Sequence, residues 1–355
     1  MPRALAAGLV LVAGLALPMV APQLAQAVPP GTYAYVTNFS DDTVSVINTA
    51  TNTVVVTVPV GDAPWEVAVS PNGTRAYVTN RADNTVSVIN TATDTVVATI
   101  SVGPAPLGVA VSRNGTRAYV TNFSANTVSV INTHTNTVVA TIPVGNAPIG
   151  VAVSPNGTRT YITNSDANTV SVINTATNTV VATIPVGNFP FGVAVSPNGT
   201  RAYVTNYSDD TVSVINTHTN TVVATIPVGD APQGVAVSRN GTRAYVINAD
   251  GDTVSVINTH TNTVVATIPV GDAPREVAVS PNGTRAYVTN ANADTVSVIN
   301  TATNTVVATI PVGDLPFGVA IGVVPRGHGK PDHGKPGHGK PGHDRPNHGH
   351  RPGPR

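Results

Sequence analysis

Seven tyrosines set the frame of this chain. Tyr35, Tyr77, Tyr119, Tyr161, Tyr203, Tyr245 and Tyr287 stand 42 residues apart, without an insertion or deletion. A spacing this regular means copies of one supersecondary unit, each burying its apolar face against the next. The clearest copy, GVAVSPNGTRAYVTNYSDDTVSVINTHTNTVVATIPVG, runs from Gly192 to Gly229. It contains four runs rich in Val, Ile, Thr and Tyr: Gly192–Ser196, Ala202–Asn206, Thr211–Asn216 and Thr221–Pro227. β-Branched and aromatic residues favour strands, and short links force neighbouring strands to run antiparallel. Pro197-Asn198-Gly199-Thr200 is turn chemistry, since proline presets one φ and Asn-Gly tolerates positive φ. The stretch Asn216–Asn220 is a second polar hairpin loop.

Runs such as Val-Val-Ala-Thr-Ile are apolar at nearly every position, which suits a sheet covered on both faces. Four strands per repeat of about 40 residues, repeated and mutually covered, predict an all-β fold: a seven-bladed β-propeller of four-stranded antiparallel blades over residues 33–322. An open β-solenoid is the rival. The first copy starts at its second strand, Tyr33–Asn38, and the last segment, Gly318–Gly322, is a lone first strand. Together they make one whole blade. The ring is therefore expected to close by the C-terminal strand completing the first blade, which removes exposed sheet edges.

The repeated Tyr-Val-Thr-Asn, with Thr-Val-Ser-Val-Ile-Asn and Ile-Pro-Val-Gly, resembles the YVTN-repeat β-propeller family, which includes surface-layer and YncE-like secreted proteins. The resemblance covers about residues 33 to 322. Tyr161-Ile162-Thr163-Asn164 and Tyr245-Val246-Ile247-Asn248 are small departures. The resemblance implies the propeller fold and a place outside the cytoplasm. It carries no shared catalytic set.

The ends are different material. Residues 1–27 read as a secretory signal peptide, with Arg3, an apolar stretch from Ala4 to Val20 and an Ala25-Gln26-Ala27 cleavage pattern. A short lead, 28–32, follows, and no later segment is long and apolar enough to span a bilayer once the signal is removed. Residues 323–355 form a Gly/Pro-rich basic tail with no packing residues beyond its start, expected to be disordered. His328, His333, His338, His343 and His348 recur through it. The chain has no cysteine. Its zero formal charge hides a propeller of about −6 and a tail of about +5.

Strand order puts the second-to-third-strand links and the blade-to-blade links on one face, here the top. The bottom turns barely change between copies, whereas the top links change in every one. Fifteen acidic residues fall on the top, opposed only by Arg81 and Arg275; the bottom has eight arginines against Asp94 alone. Most of the top acids lie on the blades of Tyr35, Tyr203, Tyr245 and Tyr287. The others carry Asn84, Asn126 and Asn168 in place of Asp, with Trp65, Leu107, Phe123, Ile149, Phe189 and Phe191 beside them. An apolar patch next to charge marks a partner site. The competing structural reading has the aromatics tucked between blades and the aspartates capping turns, where Asp and Asn are interchangeable.

Glu66 and Glu276 are the only glutamates, and both sit on a first strand where other copies have glycine. With Trp65, Arg275 and Phe317 they form a mouth over the central channel. Two carboxylates with an arginine suit a cation, a polar ligand or acid–base work; the structural alternative is an ion-paired, solvated rim. The clustered aspartates offer oxygen ligands for Ca2+, and the tail histidines suit Zn2+ or Ni2+. The chain lacks Cys and a G-x-S-x-G, leaving little for nucleophilic catalysis. The NGT triplets match the glycosylation sequon but read as hairpin turns.

These features favour a monomeric, secreted or cell-surface binding scaffold without catalysis. It would recognise a protein, peptide or glycan through the top face, with the basic tail anchoring to an anionic envelope. Nucleic acid is not the partner such an acidic top suggests. The alternatives are a lactonase-type propeller hydrolase using Glu66 and Glu276 at the channel mouth, and metal binding through the tail.

Overall fold

The computed structural model describes residues 29–325. Within them the chain forms seven four-stranded antiparallel sheets. Six are built from consecutive strands. In the copy of Tyr203 these are Pro190–Val195, Arg201–Asn206, Thr211–Asn216 and Thr221–Pro227, close to the runs read from the sequence. The remaining sheet pairs the C-terminal strand Pro316–Val324 with Gly31–Asn38, followed by Thr43–Asn48 and Thr53–Pro59. Tyr35 faces Ala320 and Gly31 faces Val324. The ring closes as expected, and this sheet is blade one, with blades two to seven following in chain order. The closing strand continues past Gly322 because Val324 is buried and finds a partner in Gly31. The signal-peptide reading of residues 1–27 and the tail from residue 326 onward lie outside the described residues.

Seven hydrophobic clusters hold the ring, one across each seam. One joins Tyr35, Val44 and Val46 of blade one to Val67, Val78 and Ile89 of blade two. Another joins Val36 and Ile47 of blade one to Tyr287, Val296 and Ile310 of blade seven, so the closing seam is packed like the rest. Each repeat tyrosine is buried in a different cluster, which is why it marks the period.

The rest of Tyr-Val-Thr-Asn is polar stitching. Thr79 Oγ1 accepts from the Glu66 N–H (3.0 Å) and donates to the Leu107 carbonyl of the next blade (2.6 Å). Thr37, Thr121, Thr163, Thr205 and Thr289 donate across their seams in the same way. Asn122 Nδ2 donates to Thr127 Oγ1 (3.0 Å) and Ser129 Oγ (2.9 Å). The glycine of Ile-Pro-Val-Gly packs on this amide: a Cβ at Gly145 would lie 2.6 Å from Asn164 Cγ. At Ile247 the strand survives but the hydroxyl clamp is lost. In the bottom turns Asn72 Oδ1 accepts from Ser70 Oγ, the Thr74 N–H and Thr74 Oγ1, so the NGT triplet is used within its own hairpin.

Candidate functional site at the channel mouth

The third residue of each first strand forms a ring around the channel: Glu66, Gly108, Gly150, Gly192, Gly234, Glu276 and Gly318. Glycine recurs because the neighbouring inner strand is close. A Cβ at Gly108 would meet the Ile149 carbonyl at 2.4 Å, and one at Gly318 would meet Glu66 Cα at 2.8 Å. Blades two and seven alone carry a side chain at this level, one on each side of blade one. Each carboxylate folds back onto its own strand: Glu66 Oε1 accepts from the Val67 N–H (3.0 Å), and Glu276 Oε1 from the Val277 N–H (2.9 Å).

Both line a small cavity of about 110 Å3 with Trp65, Ile149, Phe191 and Val235. Burial pushes the Glu66 carboxyl well above the usual carboxylate range, and the charge of Glu276 pushes it further. Burial likewise pushes Glu276 up to about 7, opposed by the Val277 hydrogen bond. No cation offsets either shift. Glu276 therefore still holds its proton in part near neutral pH, and in such a pair one carboxyl can donate while the other accepts. An ion-paired, solvated rim is not what forms, because Arg275 turns away and lays its guanidinium over Phe317 at 5.4 Å.

That contact belongs to a larger stack. Phe39, Trp65 and Phe317 meet with ring centroids 6.0 Å (Phe39–Trp65), 5.4 Å (Phe39–Phe317) and 4.3 Å (Trp65–Phe317) apart. Arg81 lies over Trp65 at 5.3 Å. Both top-face arginines thus rest on one aromatic cluster where blades seven, one and two meet, beside the carboxyl pair. All three aromatics are half-buried.

This corrects the division of the top into an acidic and an apolar half. The main aromatic cluster sits on blade one, within the acidic sector. Leu107 and Ile149 are not part of an exposed patch: they are 4% and 5% exposed, and Ile149 faces the channel. Phe191 also lines the channel. Phe189 stacks on Tyr207 at 5.7 Å on blade five, and Phe123 stands on blade three at the start of a short 3-10 turn. Sequence reasoning missed Phe39. Its signal was ring closure itself, since the link after Gly31–Asn38 bonds to the link before Pro316, with Phe39 N–H donating to the Leu315 carbonyl at 3.0 Å.

Many of the top acids have structural work. Asp42, Asp210, Asp252 and Asp294 adopt left-handed φ and accept the N–H of Ala63, Ala231, Ala273 and Leu315 at 2.8–2.9 Å. Asn84, Asn126 and Asn168 do the same for Ala105, Ala147 and Phe189. Asp and Asn are one device here, as the turn reading holds. Asp41, Asp83 and Asp209 accept the N–H of Asp314, Asp62 and Asn188. Among the described residues no three of His, Cys, Asp and Glu gather as a metal-holding group. The tail histidines His328 to His348 lie outside the described residues. Among the described residues no helix is long and apolar enough to cross a membrane.

Wider grooves lie elsewhere, several of them on the bottom face at the seams. The one between blades four and five, about 570 Å3, is lined by Arg159, Tyr161, Arg201, Thr217, His218 and Asn220.

A seven-fold scaffold in which two glutamates, two arginines and an aromatic cluster break the repeat at the channel mouth defines a seven-bladed β-propeller with an asymmetric mouth. Residues 105–201 match the family described as YNCE-like beta-propeller. The same 42-residue block fills the rest of the ring.

Solved structures share the fold. A functionally unknown protein from Desulfotomaculum acetoxidans DSM 771 is 20% identical with a TM-score of 0.74, over 82% of this chain and 99% of its own. A putative 6-phosphogluconolactonase from Bacteroides uniformis ATCC 8492 is 18% identical with a TM-score of 0.70, over 82% and 99%. The hydrazine synthase of Kuenenia stuttgartiensis is 21% identical with a TM-score of 0.66, over 72% and 88%. At these identities the likeness is of fold alone. No curated protein matches the chain.

Proposed function

We propose that this protein is a binding propeller without catalysis, secreted or held at the cell surface, that takes a glycan or peptide at its top mouth. The observation that carries this reading is the Arg81–Trp65–Phe317–Arg275 stack with Phe39. The repeat does not require these residues. Where blade two has Arg81 other copies have Ser165 or Ala249, and where it has Trp65 another has Gln233. Partly desolvated aromatics and arginines are the residue types that dominate binding hot spots. An aromatic floor edged by guanidinium donors suits a ligand with a flat apolar face and acceptors on its rim, such as a sugar ring. The bottom arginines and the basic tail face an anionic envelope, by an attraction that salt weakens.

Glycan and peptide arrays test the mouth. The full chain is expected to bind a restricted set of ligands, and a Phe39→Ala, Trp65→Ala, Phe317→Ala variant to lose them. Ligands retained by the folded triple variant would place the site elsewhere. Co-sedimentation with host envelopes tests the anchor: the full chain pellets, and a version stopped after Pro325 stays in solution. Equal pelleting of both removes the tail from the account.

A second reading, hydrolysis at the same mouth, is favoured by the carboxyl pair. Two carboxyls that burial raises above the usual carboxylate range are what such acid–base chemistry needs. The lactonase-like neighbour supports it through fold only. Unchanged turnover of a hydrolysed substrate in a Glu66→Gln, Glu276→Gln variant removes it.

A further inference from the structure

Six of the bottom arginines, Arg75, Arg117, Arg159, Arg201, Arg243 and Arg285, hold one position of the repeat. Each opens the second strand of its blade, two residues before the repeat tyrosine. The fold does not ask for a cation there, since blade one carries Tyr33 instead. Nor do the guanidiniums meet an acid. Arg159 Nη1 donates to the Thr158 carbonyl (3.0 Å) and Arg201 Nη1 to the Thr200 carbonyl (3.1 Å), and among the described residues neither side chain bonds to a carboxylate. Each of these bonds fixes one arm of a planar guanidinium, and the group has further N–H donors to give.

The two arginines meet in the groove of about 570 Å3 between blades four and five. Arg159 and Tyr161 come from blade four, and Thr217, His218 and Asn220 come from the loop between the third and fourth strands of blade five. Burial raises the Tyr161 hydroxyl, while the Arg159 charge and the Thr217 hydroxyl beside it pull the other way. His218 stands where blades four and seven have Ala176 and Ala302, so the turn does not require it.

The same loop brings an acceptor that has no donor. It turns back at Asn220, whose φ of 54° is left-handed. Asn220 Oδ1 is buried and accepts no hydrogen bond among the described residues. Its counterpart at the closing seam, Asn52 Oδ1, accepts from the Tyr287 hydroxyl at 3.3 Å. A buried acceptor without a donor is costly, and a ligand hydroxyl supplies what it lacks.

We propose that the groove between blades four and five binds an acidic sugar, a uronic acid unit of a polysaccharide, with its carboxylate on Arg159 and Arg201 and a ring hydroxyl donating to Asn220. A planar carboxylate matches the guanidinium fork through paired N–H···O bonds. A bare anion would leave Asn220 unmatched, and a neutral sugar would leave both arginines unmatched. The volume lies within the range of about 300–1,000 Å3 that small-ligand sites occupy. The inference rests on the reading of the bottom face as turned to an anionic envelope, and names what that face holds there.

Imidazole proton NMR on the full chain tests this, with a short oligogalacturonate as the probe. His218→Ala identifies the His218 signal. The oligogalacturonate is expected to shift that signal saturably, and a neutral oligogalactose to leave it in place. Arg159→Gln is expected to weaken the midpoint about tenfold. Asn220→Gly, which suits the left-handed backbone, is expected to weaken it severalfold. With inorganic phosphate as the probe, Asn220→Gly is expected to change nothing. Unchanged melting midpoints check that both variants fold, and Tyr33 in blade one shows that the repeat tolerates loss of the arginine. Coincident midpoints for the natural chain and Arg159→Gln overturn the proposal. An oligogalacturonate midpoint unmoved by Asn220→Gly overturns it too, leaving a simple anion site. Shifts confined to other histidines also overturn it, and leave the envelope reading standing, because that reading is decided by co-sedimentation.

Discussion

Glu276 loses its proton near 4.5 when exposed and holds it to about 7 in the fold. Between those values the folded chain binds more protons than the unfolded one. The stability this group contributes is thus fully present below the lower value and lost as pH rises through the upper one. Glu66 is shifted in the same direction. Glu276→Gln should melt level with the natural protein near pH 4 and about 2–4 °C above it near pH 8. Equal midpoints for the two proteins near pH 8 would mean that the channel carboxyl is solvated after all. The sequence marked both glutamates, because they replace glycine on the inner strand. It did not show that they lack a cation, since the direction of Arg275 is set by Phe317, which ring closure brings from far along the chain. The roles of Thr79 and Asn122 were hidden for a related reason: their partners are backbone and side chains that only the folded sheets bring within reach.

Strands were legible almost to the residue, since each copy alternates turn chemistry with β-branched runs. Which runs were edges was less plain. The Val-Val-Ala-Thr-Ile run of Thr95–Ser101 reads as a strand covered on both faces, yet it is the outermost strand of blade two, with Val97 48% exposed. No charge guards this edge. A bulge opposite Val88 and Ile89 breaks its ladder instead, and prolines end most of its counterparts. Val97→Lys should change stability by no more than about 0.5 kcal/mol in urea unfolding. Ile89→Ala, in the seam cluster, should cost about 2–5 kcal/mol. Similar costs for the two would contradict the assignment of outer edge and seam. The top links were the least legible element, because Asp and Asn serve one capping role there, and the sequence alone left that reading beside a functional one.

The whole ring depends on one strand. Closure was legible from the two partial copies at its ends, and the pairing of Pro316–Val324 with Gly31–Asn38 bears it out. A chain stopped after Asp314 should unfold at a clearly lower temperature than one stopped after Pro325, and should self-associate through the freed edge of Gly31–Asn38. A matching melt and a monomeric state for both would mean that the ring does not need its clasp.

Recognition proposed at the mouth, where the repeat is broken, can be read from a residue within it. Trp65 is the only tryptophan in the chain and lies in that cluster, so its emission reports on the site directly. Titration with a ligand selected from the arrays should give a saturable shift in Trp65 emission. Its midpoint should match the binding isotherm and move to weaker binding in Arg81→Ala. Saturable binding that leaves Trp65 emission unchanged would put the ligand elsewhere on the propeller and contradict the account.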